Sequence, residues 1–198
     1  MVDENTRVQL LHEHYNASFE NVRAHIRTRD RLFLALLALA VVMLFQMAFP
    51  AQAATELGTQ LVKTLGLSQP IEAGFLNSLV WFCMLCLIVR YGQATVYVER
   101  QYHYLDGLEA RINALGEAND VTREGKSYLK NYPLFSDWTH FLYTTVFPLI
   151  LGVLLVYRIE SEIASVSAFS WRLVVDGLLC GGCLVSIVLY LVHIYFKR

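Results

Sequence analysis

Charge is scarce in this chain. Of 198 residues, 17 are Asp or Glu and 16 are Lys or Arg, together 17%, whereas a soluble domain carries about 25%. The formal net charge of −1 gives no drive for non-specific nucleic-acid binding, so no nucleic-acid partner is expected. Only four cysteines and four prolines are present, and there is no internal repeat or low-complexity tract. A disulfide-stapled secreted domain is therefore excluded. Catalytic signatures are missing too: the chain has no nucleophile elbow, phosphate loop or dinucleotide fingerprint. His12 and His14 sit two apart, on different faces of a helix, and do not form a zinc-binding pair. With the long apolar runs described next, the scarcity of charge excludes a soluble globular enzyme and a disordered tail protein.

What the chain has in abundance is apolar sequence, 56% of its residues against the usual 45–50% or so. It is gathered into four runs, at 32–49, 73–89, 138–157 and 173–195. Each is near the roughly 20 residues that cross a bilayer as a helix. Trp138, Tyr143, Tyr157, Trp171 and Tyr195 lie near the run ends, where amphipathic rings favour the headgroup layer. The expected fold is an all-α integral membrane protein with four transmembrane helices and long cytoplasmic helical extensions. Arg27 to Arg31, the first run and Ala51-Gln52-Ala53 together resemble a secretory signal. About 30 residues precede the run, however, and it exceeds the usual 7–15 or so, which favours a retained span.

Basic residues set the expected orientation. The segment 1–31 holds Arg7, Arg23, Arg27, Arg29 and Arg31; the segment 90–137 holds Arg90, Arg100, Arg111, Arg123, Lys126 and Lys130; the tail 196–198 adds Lys197 and Arg198. The connections 50–72 and 158–172 hold only Lys63, Arg158 and Arg172. Basic residues concentrate on the cytoplasmic side, so both termini and the long middle segment are expected there.

Outside the spans the apolar pattern persists at helical spacing. Val8, Leu11, Tyr15, Phe19, Val22 and Ile26 recur every three or four residues, with no Pro or Gly before the first span. This predicts one helix that starts in the cytoplasm and enters the membrane. Val98, Tyr102, Leu105, Leu108, Ile112 and Leu115 repeat the pattern beyond the second span, predicting a stalk, with a return helix over 121–131. The two stripes must bury against each other, against further copies or against a partner. The second is expected to dock a cytoplasmic protein partner. On the other side, Ala54, Leu57, Leu61 and Leu65 mark a short amphipathic helix before Pro70.

Several residue groups invite a chemical reading. Cys83/Cys86 and Cys180/Cys183 form two Cys-x-x-Cys pairs, but their depths along separate spans are ill-matched to one tetrahedral ion. They read as packing residues, with no metal or cofactor expected. Gly177, Gly181, Gly182 and Ser186 make overlapping small-xxx-small patterns for close helix contact, within the chain or between copies. Pro148, with Gly152 one turn on, predicts a kink, because proline removes a backbone bond to Thr144. Glu99 and His103 read as a surface pair. Asp176, Arg90 and His193 sit toward span ends, which is thin equipment for a coupled pump.

In size, span number and cytoplasmic helices the chain resembles small four-helix membrane subunits of bacterial antiphage defence systems of the Kiwa type. The resemblance covers the whole layout and rests on no motif. It implies a bacterial inner-membrane protein in which a membrane oligomer works with a cytoplasmic protein. The expected function is thus a non-enzymatic homo-oligomer that docks a cytoplasmic partner and senses or perturbs the bilayer. The alternatives are a passive channel or transporter subunit and a small membrane enzyme.

Orientation is directly testable. In a cysteine-free background, single cysteines beside Met1, Lys126 and Arg198 should be shielded from an impermeant thiol reagent in intact cells, and one beside Lys63 should label. Labelling beside Lys126 without membrane disruption contradicts the topology.

Overall fold

A computed structural model describes residues 4–66, 72–114, 138, 139, 141–165 and 170–196. Every regular element among them is helical. These are α1 (Glu4–Ala48), α2 (Pro50–Leu65), α3 (Ala73–Asn113), a π-helical turn (Leu142–Val146), α4 (Phe147–Ser165) and α5 (Trp171–Phe196). Four stretches are long and apolar enough to cross a membrane: those within α1 and α3, the π turn with α4, and α5. Leu115 and the expected return helix lie outside the described residues.

The chain divides into two compact units, with boundaries at Arg31/Leu32, Gly92/Gln93 and Phe141/Leu142. α1 has 45 residues and α3 has 41, each about twice what a bilayer crossing takes. Both helices contribute to both units. Nothing in residues 4–48 breaks the first helix, and Gly92 and Gly107 do not interrupt the second, at a cost of about 1 kcal/mol each.

In the first unit α1 and α3 pair antiparallel. Tyr15, Val22, Leu105, Leu108 and Ile112 form its core, with Leu11, Phe19 and Ile26 packed alongside. Polar contacts, one buried and two exposed, fix the register. The Tyr15 hydroxyl donates to Glu109 Oε1 at 2.8 Å, Asn21 Nδ2 donates to the Tyr97 hydroxyl at 3.0 Å, and His14 Nε2 lies 2.7 Å from the Tyr104 hydroxyl. His25 also stacks near Tyr97, with centroids 4.1 Å apart.

This pairing corrects the assignment of the second stripe to a partner. Val98, Leu105, Leu108 and Ile112 are buried within the chain, and the last three share their core with the stripe on α1. Tyr102, by contrast, stays 40% exposed. The physical reason is local: two matched stripes on helices of one chain meet at no cost in association entropy, so they satisfy each other first.

In the second unit the remaining parts of α1 and α3 pack with α4 and α5. The core holds Leu36, Met43, Trp81, Met84, Ile88, Leu151, Leu155, Cys183 and Ile187. Many outward residues are also apolar, including Leu34, Val153, Leu178, Val185 and Leu189, as lipid-facing helices require. α2 starts with Pro50 at its first turn, where a missing N–H costs nothing, and ends at Gly66. Gly66 has φ +65°, a left-handed cap that lets its N–H reach the Val62 carbonyl.

Where Pro148 and Gly152 predict a kink, the backbone widens into a π turn. Leu142–Val146 precede Pro148, which is buried at the second position of α4. A proline ring clashes with the carbonyl four residues back, and a widened turn relieves that clash. Neighbouring helices brace the turn: the Tyr91 hydroxyl donates to the Tyr143 carbonyl at 3.3 Å, and the Thr145 and Tyr195 hydroxyls lie 2.6 Å apart. Gly152, one turn on, faces Ile187.

Because the paired stripes are the core of the first unit, Leu105→Ala should destabilise it by about 2–5 kcal/mol. Tyr102→Ala should change its stability little. Hydrogen exchange along α1 and α3 reads both, and equal effects would mean that the stripe is not the core.

Candidate buried polar site

The third helix does not stop at Tyr157. α4 continues to Ser165, so Arg158 is a helical residue inside the bundle and not part of a loop over 158–172. Arg158 is 5% exposed. A guanidinium cannot lose its charge and carries five N–H donors, so burial in an apolar bundle obliges the surrounding helices to supply acceptors.

They do so from three sides. Arg158 Nε donates to Glu162 Oε1 at 2.6 Å, one turn further along α4. Its Nη2 donates to Asn77 Oδ1 of α3 at 3.0 Å and to Gln46 Oε1 of α1 at 3.3 Å. Its Nη1 reaches the Met43 carbonyl at 3.4 Å. Trp81, fully buried, donates its indole N–H to both Glu162 oxygens at 3.2 Å. The Arg158–Glu162 pair is thus a buried ion pair, with side chains 6% and 12% exposed.

Asp176 on α5 is also buried, at 5%. Ser78 of α3 and the guanidinium groups of Arg158 and Arg172 face it. The residues gathered here lie toward the same end of the unit: near the C-terminal ends of α1 and α4 and the N-terminal ends of α3 and α5. Just outside the spans, Arg172 donates two hydrogen bonds to Glu72. That contact holds the Glu72 carboxyl below its ordinary range. Gly74 leaves the room for it, since a Cβ there would meet Arg172 Nη1 at 2.6 Å.

The residues singled out for close helix packing behave differently from one another. A Cβ on Gly182 would meet both Leu85 methyl groups at 3.4 Å, so this glycine sits in contact with α3. Gly177 and Gly181 would meet nothing within 4 Å, and Gly181 is exposed. Ser186 donates to the Gly182 carbonyl of its own helix at 2.7 Å. Cys180 and Cys183 are buried, Cys86 is exposed, and the Cys180 thiol points at the Leu155 carbonyl, 3.8 Å away. Hence α5 meets α4 at Cys180 and α3 at Gly182, while Gly177 and Gly181 have open space where a Cβ would stand.

Sequence reasoning missed Arg158 and Glu162. The signal was present in the run Arg158-Ile159-Glu160-Ser161-Glu162, an ion-pair spacing of four that continues the helix of the apolar run without a Gly or Pro.

Removing one partner of a buried pair leaves the other uncompensated, at a cost of about 3–5 kcal/mol. Arg158→Met should therefore destabilise the protein in lipid by about that amount, and adding Glu162→Met should recover most of it. Thermal unfolding in nanodiscs reads the cycle, and losses that simply add would contradict the coupling.

Comparison of the chain with protein-family models, with curated proteins and with solved structures gave no match.

Proposed function

We propose that this protein is a non-enzymatic membrane relay, in which a disturbance at the membrane-spanning bundle is passed to a paired-helix cytoplasmic extension and read there by a soluble partner. One observation carries the reading. α1 and α3 each supply groups to the Arg158 cluster and, on the same unbroken helix, residues to the core of the extension. The continuity of both helices is what supports a relay. Intramembrane ionisable groups are costly, about 2.5–3.5 kcal/mol each at mid-bilayer, and they mark working parts of membrane proteins.

The orientation in this reading follows the basic residues, with both termini and the extension in the cytoplasm of a bacterial inner membrane. Since the apolar stripes occupy each other, the partner meets the outer face of the pair, where Leu10, Tyr102 and Tyr104 are exposed. Assembly of several copies, through the open Gly177 and Gly181 face of α5, and a role in antiphage defence belong to the same proposal.

The relay is tested by distance measurement in the extension. With spin labels at Glu20 on α1 and Arg100 on α3, the distance distribution should change between thick and thin bilayers. Arg158→Gln should blunt that change. An unaltered distribution under all conditions would contradict the relay, and cation flux through liposomes holding only this protein would replace it with a channel.

A further inference from the structure

We propose that the Arg158 cluster is a proton-binding site, and that Asp176 carries the proton near neutral pH. The inference stands independently of the relay.

Register places the group. α4 and α5 are consecutive and antiparallel, and Cys180 meets the Leu155 carbonyl. Asp176 precedes Cys180 by one turn, which sets it level with the turn after Leu155, where Arg158 lies. One fixed cation therefore sits with two buried carboxyl groups, Glu162 and Asp176. In an apolar bundle an uncompensated charge is far more expensive than a neutral acid, so the count favours uptake of one proton.

Hydrogen bonding decides which carboxyl takes it. Glu162 accepts from Arg158 Nε and from the Trp81 indole, and donors aimed at a carboxylate keep it ionised. The other hydrogen bonds of Arg158 go to Met43, Gln46 and Asn77. Asp176 Oδ1 is buried and has no hydrogen-bond partner among the described residues. Facing Asp176 are Ser78 from α3, Arg158 and Glu162 from α4, and Arg172 on α5 itself. Arg172 is already committed to Glu72. The nearest contribution of α1 to the cluster is the uncharged Gln46. Ser78 hydrogen-bonds the Asp176 carboxyl, but one neutral hydroxyl, with Oδ1 left unpartnered, stabilises an anion less than the guanidinium and indole donors aimed at Glu162.

Infrared spectroscopy of the protein in lipid bilayers tests this. The wild type should show the carbonyl stretch of a protonated carboxyl near neutral pH. Asp176→Asn should abolish the band. Glu162→Asp, which keeps the charge count, should leave its frequency in place, whereas Asp176→Glu should shift it. Three results would overturn the proposal: no such band in the wild type, a band that moves with Glu162→Asp, or a band lost on adding sodium at constant pH. The wild-type spectrum alone decides whether the proton is there, even if a variant fails to fold.

Discussion

A single guanidinium organises the membrane-spanning unit. Arg158 cannot shed its charge, so the helices around it are oriented to present acceptors: Met43 and Gln46 from α1, Asn77 from α3 and Glu162 from α4. Apolar side chains alone give spanning helices little reason to choose one rotation, because lipid is as apolar as leucine. Directional bonds to a buried charge supply the missing preference, and hydrogen bonds to charged groups are worth about 1.5–3 kcal/mol each. Toward the other end of the unit, Tyr91 and Tyr195 brace the π turn before Pro148. Apolar core residues such as Met84, Leu151, Cys183 and Ile187 lie between these two polar belts.

The first unit follows the opposite rule with the same two helices. There the apolar stripes of α1 and α3 face inward and exposed polar contacts, such as Asn21 to Tyr97, lie at the rim. The switch falls at Arg31/Leu32, where the sequence passes from charged to apolar, and at Gly92/Gln93. One helix thus obeys two solvents in turn, with a hydrophobic seam in one unit and a buried guanidinium in the other.

The two halves differed in legibility for the same reason. The stripes Leu11 to Ile26 and Val98 to Ile112 were readable because burial from water leaves a period of three to four residues. What periodicity could not say was that each stripe is the other's occupant, since a stripe carries no label for its partner. The spans were readable by length, and the need to accommodate Pro148 by its missing N–H. Arg158 was not, because a rule that counts basic residues treats an arginine at the end of an apolar run as the start of a loop. Only the three-dimensional meeting of Gln46, Asn77 and Glu162 turns it into a core residue. Gly182 was likewise indistinguishable from Gly181 until the position of Leu85 separated them.

The central claim is that Arg158 is sealed inside the bundle and hydrogen-bonded to acceptors from α1, α3 and α4. Nitrogen-15 NMR of arginine side chains in lipid nanodiscs tests it most directly. One Nε–H signal, assigned by its disappearance in Arg158→Lys, should exchange with water far more slowly than those of the exposed Arg23 and Arg27. Rapid exchange of the Arg158 signal, at the rate of these surface arginines, would contradict the account.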